Sequence, residues 1–475
     1  MEPTPPLTQA PGSTLPGLTP RLGLLDATTI VMGSMIGSGV FIVSADIARQ
    51  VQSPGLLMIT WIITALLTMT AALSYGELAA AMPWAGGQYV YLREAFGPLC
   101  GFLYGWTLFT VIQTGTIAAV AVAFAKFLGV FLPGVSAEIW LLRWGPVGLN
   151  TQMAVAIALL VFLTWVNTRG VAVGARVQNV FTIAKVGALA ALIGFGLLFG
   201  RRPDAIEANF TDIWRGADQG WLVVKLVGVA MVGALFSSDA WNNVTFTAGE
   251  TKNPQRNLPL SLALGVGAVS VLYFLCNLVY MMALPLDGIM NAAEDRVATA
   301  VMAQMMGGGA VQLMAVAVMV STFGCVNGMV LAGARVYYAM AKDGLFFKAV
   351  GRVEPKRHAP VTSLWVQCLW ACVLTLTGRY SDLLDYVIFA VLLFYILTII
   401  GLFVLRRTRP EMNRPYRAIG YPVLPALYIL AAGAIEILLL LYKPSYTWPG
   451  LILVVLGVPV YWVWRQRSRP KEIEV

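Results

Sequence analysis

Apolar stretches long enough to cross a lipid bilayer recur along nearly the whole chain, and they constrain its fold more than any other feature. A membrane-spanning helix needs about 20 mostly apolar residues. Only 12% of the 475 residues are charged, against about 25% in a soluble globular protein. The sequence therefore predicts an all-α integral membrane protein. It has twelve transmembrane helices, numbered here as segments 1 to 12, at 23–46, 54–82, 97–130, 150–168, 176–200, 219–248, 258–284, 309–340, 360–378, 382–405, 421–442 and 447–465.

Basic residues are concentrated on one side of this array. Because twelve is even, both chain ends lie on the same side, whose loops and tails hold 20 of the 32 Lys and Arg residues. The opposite loops hold 8, and 4 fall within segments. The positive-inside rule places the basic side in the cytoplasm, so both termini are expected there, in a cell (inner or plasma) membrane. The formal charge of +9 thus reflects topology and does not indicate binding to nucleic acid.

Residues that would form a metal or cofactor site are scarce. The single histidine, His358, lies in a basic loop, and the five cysteines lack the spacing of metal ligands. We expect no metal, no cofactor and no histidine-based proton relay. No pairing of a nucleophile with a base is recognisable either, so the sequence does not indicate an enzyme.

The stretch GSMIGSGVF, at 33–41, interrupts segment 1 with three glycines and two serines. Non-helical backbone survives at membrane depth only beside protein or a water-filled cavity. One interpretation is a break whose free N–H groups bind an anion such as a carboxylate, while the preceding half-helix presents carbonyls to a cation. Such a pair suits a zwitterion. The alternative is that the small residues only allow close helix packing.

A second interruption, GALFSSDAWNN at 233–243, places Asp239 and polar neighbours at the middle of segment 6. An intramembrane aspartate is costly and indicates function by default, although Asp239 also suits a helix-capping role. Segment 6 follows segment 1 by five segments, an odd offset that inverts the orientation of a second copy. Paired breaks in two inverted halves are typical of a transporter whose site lies between the halves.

Lys185 stands well inside segment 5, too far from either end to reach water. In broken-helix transporters, groups near the break coordinate sodium, and an ammonium fixed there would replace the ion. Ser321 and Thr322 of segment 8 are candidate hydroxyl partners, and transport without sodium is then expected. The alternative is a structural lysine bonded to helix-end carbonyls. Three other basic residues lie nearer segment ends and are expected to extend to the membrane surface: Lys126, Lys225 and Arg335.

Five motifs, in their order and spacing, resemble those of the L-amino acid transporter family of the amino acid–polyamine–organocation superfamily. They are GSMIGSGVFI, YGELAAAMPWAGGQYVYLREAFGP, FSSDAWNNVTFTAGETKNPQRNLP, STFGCVNGMVLAGARVYYAMAKDG and RPYRAIGYPVLP. The resemblance covers nearly the whole chain after the N-terminal tail. It implies a five-plus-five inverted repeat of the leucine-transporter type, with helices 1 and 6 broken, and sodium-independent exchange of amino acids.

This organisation divides the chain into a core and flanking parts. A tail rich in Pro, Thr and Gly is expected to be disordered at 1–20. The transport core is expected at 21–405, with repeats at about 21–200 and 219–405. Helices 11 and 12 follow at 421–465, and a cytoplasmic tail at 466–475.

The resemblance also implies a set of substrate-binding residues. The α-carboxylate meets amides of the first break, the α-amino group meets carbonyls of both breaks, Phe236 acts as a gate, and segment 3 lines the side-chain pocket. Lys185 matches a lysine that bacterial members carry at the sodium position. Where the second break usually has glycine before tryptophan, this chain has Ala240, which leaves the extent of unwinding in question. The binding residues so implied are Met35, Ile36, Gly37, Ser38, Gly39, Ile112, Thr116, Phe236, Ser237, Ser238 and Asp239.

Substrate class, transport mode and partner stay open at this stage. Small polar residues favour neutral or broad-range L-amino acids, whereas Asp239 matches an aspartate of members that carry cystine and dibasic amino acids. Exchange is implied, but a proton-coupled symporter using Asp239 or Glu77 has the same architecture. Eukaryotic light chains of the family have a cysteine after segment 3 that bonds a glycoprotein. Loop 131–149 has none, so no disulfide-linked glycoprotein partner is expected.

Overall fold

The fold is a bundle of membrane-spanning helices. The computed structural model describes residues 18–468, apart from 145–146, 218–219 and 378–379. Residues 1–17 of the predicted N-terminal tail and 469–475 of the predicted C-terminal tail lie outside the described residues. In the described part, eight helices are long and apolar enough to cross a bilayer, one further span is a pair bent by 41°, and three shorter helices are apolar. These nine spans and three shorter apolar helices confirm the predicted all-α membrane fold and agree with twelve transmembrane helices.

The observed helices match the predicted segments to within a few residues at most ends. Several begin at a proline, because the missing N–H is one that a helix start leaves unpaired in any case. Segments 1 and 5 depart most, by five residues each, since segment 1 extends to Val51 and segment 5 begins at Val171. In order, segments 1 to 12 are Leu24–Met35 with Gly39–Val51; Pro54–Ala81; Pro98–Thr107 with Leu108–Ile112 and Gln113–Leu128; Thr151–Asn167; Val171–Phe199; Trp221–Ser237 with Asn243–Phe246; Pro254–Ala283; Ala310–Lys342; Val361–Leu376; Tyr380–Thr408; Val423–Tyr442; and Pro444–Ser468.

Shorter elements connect the segments. Two antiparallel strands, Trp140–Trp144 and Val147–Asn150, form a hairpin between segments 3 and 4. The connecting helices are Gln88–Phe96, Pro203–Phe210, Leu286–Met290 and Val297–Met306, and 3₁₀ turns lie at Ala248–Glu250, Ala293–Asp295, Gly307–Gly309 and Lys348–Gly351.

The break in segment 1 lies in the interior of the bundle. The first half-helix packs against segments 5, 7 and 8, and the second half packs against segment 6. Ile36 and Val40, on either side of the break, are completely buried. Protein therefore surrounds the interrupted backbone, as its unpaired polar groups require at this depth.

Arg335 does not extend to the membrane surface as expected. Its side chain is 1% exposed and pairs with fully buried Glu250, with 2.7 Å between Nε and Oε2. Segment 8 continues to Lys342, so Arg335 stands two turns before its end and meets the 3₁₀ turn that follows the second break. Lys126, in contrast, keeps 49% of its side chain exposed and pairs with Glu294.

Candidate functional site

The first break leaves backbone N–H groups available in the middle of the membrane. The first half-helix ends at Met35 and the second begins at Gly39. Among the described residues, the N–H groups of Gly37, Ser38 and Gly39 donate no backbone hydrogen bond. These groups stand at the start of the second half-helix, where the helix dipole favours negative charge. The arrangement can bind an anion such as a carboxylate.

Carbonyls released at the first break converge on Lys185. Its ammonium, buried with 1% of the residue exposed, donates to carbonyl oxygens of Gly33 at 2.7 Å, Ile36 at 2.7 Å and Ser321 at 3.2 Å. All three N–H donors of the ammonium thus have acceptors. The Ser321 hydroxyl donates to the same region, to Gly37 O at 2.7 Å and Ile36 O at 3.1 Å. One cation therefore joins segment 5 to the break and to segment 8.

The hydroxyl partners predicted for Lys185 are wrong. Ser321 offers its backbone carbonyl and directs its hydroxyl to the first break, while the Thr322 hydroxyl donates to Val318 O at 2.8 Å within segment 8. A hydroxyl inside a helix commonly bonds to the carbonyl four residues earlier. The ammonium carries only donors, and its acceptors are two carbonyls at the first break and one carbonyl inside segment 8.

Segment 6 unwinds between Ser237 and Asn243, which confirms the second predicted break. Within it, Ala240 has a φ of +64°, a left-handed conformation that residues other than glycine seldom adopt. Holding alanine there costs about 1–3 kcal/mol. Alanine in place of the usual glycine therefore does not prevent the unwinding of segment 6. The surrounding structure holds Ala240 in a strained backbone conformation.

The two breaks contact each other at Gly39 and Ser237. A methyl group added to Gly39 would lie 2.2 Å from Ser237 Oγ and 2.8 Å from its Cβ, so this approach requires glycine. The Tyr273 hydroxyl of segment 7 lies 3.2 Å from Met35 O and 3.1 Å from Ser237 O. The hydroxyl has a single proton and donates to one carbonyl at a time. The sequence does not indicate Tyr273 as a site residue, because a tyrosine in an apolar helix is typical of ordinary core packing.

A cavity beside the second break brings together three of the predicted binding residues, Ile112, Thr116 and Asp239. Segment 3 widens into a π-helical turn at Leu108–Ile112 where it borders this cavity, a distortion that is frequent at functional sites. The lining residues are Gln88, Tyr104, Leu108, Ile112, Gln113, Thr116, Asp239, Ala240, Asn242, Asn243, Met329, Val391 and Tyr395.

The remaining predicted residues lie outside this first cavity. Ser238 lines a second cavity, which Asp239 also borders, together with Thr68 of segment 2 and Tyr428 of segment 11. Neither lining includes Met35–Gly39, Phe236 or Ser237. Phe236 packs against the hydrophobic core instead. The predicted set is therefore divided between the Gly39–Ser237 contact, the hydrophobic core and the two cavities.

Asp239 lies between two small cavities of about 20 Å³ each, because it lines both. Its Oδ1 accepts a hydrogen bond from the Tyr395 hydroxyl of segment 10 at 2.6 Å. In the part of the chain that the structure describes, no Lys or Arg lines either cavity. A carboxylate without a basic partner attracts a cationic group into the space beside it.

Glu77, the other carboxylate considered for proton coupling, is occupied by basic partners. Arg406 donates to its two oxygens at 2.8 Å and 2.5 Å, Arg414 lies 3.3 Å away, and the Ala418 N–H donates at 2.7 Å. Glu77 lines neither cavity. These contacts are those of a structural network that joins segment 2 to segment 10 and to the loop before segment 11.

Comparisons with known proteins agree over nearly the whole length of the chain. The family model described as amino acid permease matches residues 22–463. The chain is 30% identical to large neutral amino acids transporter small subunit 2 of Mus musculus over 463 residues, which cover 95% of this chain and 83% of that protein. It is 29% identical to b(0,+)-type amino acid transporter 1 of Mus musculus, over 95% of this chain and 91% of the relative. Identity is also 29% with Asc-type amino acid transporter 1 of Homo sapiens, over 96% of this chain and 86% of the relative.

The matched range includes all twelve segments up to residue 463, both breaks, Lys185 and Asp239. The chain is therefore a multi-pass membrane protein that transports amino acids, and not an enzyme. It belongs to the amino acid permease family, within the L-amino acid transporters of the amino acid–polyamine–organocation superfamily.

Proposed function

We propose that the chain exchanges L-amino acids of neutral or broad range across the membrane without sodium, by alternating access. The main support for this proposal is the position of Lys185. Its ammonium occupies the point where carbonyls of the first break and of segment 8 converge, and broken-helix transporters coordinate their coupling cation with carbonyls of this kind. A fixed positive charge leaves no room there for a sodium ion. Lys185 then holds the first break in place and also occupies the position of the sodium ion.

Both breaks contribute to the proposed binding of the substrate. The amides of Gly37–Gly39 bind the α-carboxylate, since the Ile36 N–H already donates to Met32 O at 2.9 Å. The carbonyls of Met35 and of Phe236–Ser238 bind the α-amino group, with Phe236 as the gate. The substrate side chain extends towards Ile112 and Thr116. The charges of the zwitterion bridge the two breaks and lower the barrier to reorientation. A loaded carrier that reorients faster than an empty one produces exchange.

Uptake by reconstituted vesicles tests the transport mode. Vesicles preloaded with an unlabelled amino acid are expected to take up a radiolabelled one about tenfold faster than empty vesicles, a barrier difference of about 1.4 kcal/mol. The rate is expected to be equal in sodium and choline buffers, and a panel of internal amino acids identifies the substrate class. Uptake into empty vesicles that follows an imposed pH gradient would contradict exchange and establish proton symport.

A preference for cationic amino acids is the second candidate, and the surroundings of Asp239 favour it. Its carboxylate borders both cavities without a basic partner in the described structure. If it binds a cationic side chain, Asp239→Asn removes a charge-assisted contact and lowers arginine uptake relative to serine uptake roughly tenfold or more. Asp204→Asn, in a helix outside the membrane where Asp204 pairs with Arg202, is the control. An unchanged ratio of the two uptakes would exclude Asp239 from side-chain recognition.

Topology and assembly complete the proposal. The excess of basic residues supports cytoplasmic termini. The transport core then spans 21–405 as two inverted repeats, followed by segments 11 and 12. The mouse relative's name describes a small subunit, but loop 131–149 lacks a cysteine, so a disulfide-linked glycoprotein partner is not expected for this chain.

A further inference from the structure

A third cavity, remote from the proposed substrate site, is a groove with a wholly apolar lining. Its volume is about 300 Å³, comparable with the smaller pockets that hold small molecules, roughly 300 Å³ and upwards. The groove lies between segments 3, 5 and 8 and exposes no polar surface. The lining residues are Phe124, Phe131, Phe181, Val316, Met319, Val320 and Phe323.

The groove lies at hydrocarbon depth. Its four residues from segment 8 stand three and four positions apart, so they form one face of that helix. Its upper end is Phe131, just beyond segment 3, and its floor is Phe181 and Phe323, stacked at 4.2 Å. Phe181 is one turn before Lys185, which lies at the first break. The groove therefore extends from the membrane surface opposite the termini to about the middle of the bilayer.

The lining and the opening of the groove suit a lipid of the bilayer as its ligand. Val316 and Phe131 are 48% and 41% exposed, so the groove opens sideways towards lipid rather than towards the substrate cavities. A polar ligand would leave its hydrogen-bonding groups unsatisfied against this lining, whereas an alkyl chain gains contacts with four aromatic rings. We propose that the groove is a binding site for one acyl chain of a membrane lipid, in the leaflet opposite the termini.

The floor of the groove separates the acyl chain from the cation at the first break. A methyl group on Gly324 would lie 2.9 Å from Phe181 Cβ and 3.4 Å from Lys185 Nζ, so both side chains contact the same point of segment 8. The stacked phenyl rings keep hydrocarbon away from the ammonium. An acyl chain in the groove thus supports the packing of segments 5 and 8 on which the contacts of Lys185 depend.

Photolabelling of the intact protein tests this site. The full chain is reconstituted with phosphatidylcholine that carries a diazirine on its acyl chain, and the labelled peptides are identified by mass spectrometry. Label is expected to concentrate on 124–131 and 316–323, relative to the lipid-facing surface of segment 7 around Val271, which is 58% exposed. Equal labelling of the two surfaces would overturn the proposal.

Variants that fill the groove make the test specific. Val316→Trp is expected to reduce label on the groove peptides severalfold, and Val271→Trp is expected to leave it unchanged. If Val316→Trp lowers the yield of folded protein, the smaller change Val320→Phe replaces it. Undiminished label in a folded, groove-filled variant would also overturn the proposal. The measurement does not depend on transport, so its result is separate from that of the exchange assay.

Discussion

Replacing Lys185 with alanine is expected to reduce amino acid exchange at least about a hundredfold. The change removes three charge-assisted hydrogen bonds to carbonyls of Gly33, Ile36 and Ser321, each contributing about 1.5–3 kcal/mol. It also removes the side-chain donor to Gly33 O at membrane depth, which costs more than the loss of such a bond in water would, although Ile36 O keeps the Ser321 hydroxyl at 3.1 Å. The half-helix that ends at Met35 then lacks its fixed position. Counterflow in vesicles containing equal amounts of folded protein measures the loss.

The matched control for Lys185 is Lys126→Ala. Lys126 also belongs to a membrane segment, but it is half-exposed and pairs with Glu294 near the surface, where a single ion pair contributes about 0–1 kcal/mol. Exchange by this variant is expected to stay within about twofold of the unmodified chain. If Lys185→Ala retained normal exchange, or if replacing sodium with choline slowed the unmodified chain, the ammonium would not stand in for the ion.

Gly39→Ala is expected to lower exchange roughly tenfold to a hundredfold. The new methyl group would lie 2.2 Å from Ser237 Oγ, 2.8 Å from its Cβ and 3.1 Å from its Cα. Overpacking of this kind typically costs 1–3 kcal/mol (about tenfold to a hundredfold), because backbone as well as side chain must shift. The two breaks would separate, and the carbonyls and amides proposed to bind the zwitterion would lose their spacing. The initial rate of counterflow is again the measurement.

A second substitution in the same contact shows whether that spacing is responsible. Adding Ser237→Gly to Gly39→Ala removes both the hydroxyl and the Cβ, and partial recovery of exchange is expected. Gly194→Ala, in segment 5 where an added methyl group meets nothing within 4 Å, is the control for glycine substitution in a membrane helix. Full activity of Gly39→Ala alone would show that the breaks need not touch during transport.

The sequence predicts the broad fold and the location of both breaks for a physical reason. Glycine and polar residues are unfavourable in the middle of a membrane helix, so GSMIGSGVF and FSSDAWNN are visible as exceptions in an apolar background. Lys185 is visible for the same reason. The alternative of helix-end carbonyls as its partners describes Gly33 and Ile36, but the sequence does not identify these residues, because every residue carries the same backbone carbonyl.

Contacts between distant segments explain the other differences. Arg335 lies close enough to the end of its segment to reach the surface. It pairs instead with Glu250, which lies in the 3₁₀ turn after the second break. Tyr273 and Tyr395 are ordinary aromatic residues of apolar helices until the packing directs their hydroxyls to a break and to Asp239. The division of the implied binding residues between the Gly39–Ser237 contact and two cavities likewise depends on helix packing that no local pattern encodes.

The position of the Tyr273 hydroxyl has a consequence for the proposed binding of the substrate's amino group. Its phenol lies within reach of one carbonyl of each interrupted helix, Met35 and Ser237, the same oxygens proposed for the amine of the cargo. Because it has one proton, the Tyr273 hydroxyl donates to only one of these carbonyls at a time. In the proposed binding mode, an ammonium with three N–H donors would reach both carbonyls at once and displace the phenol, so that the substrate joins the two interrupted helices where the tyrosine alone does not.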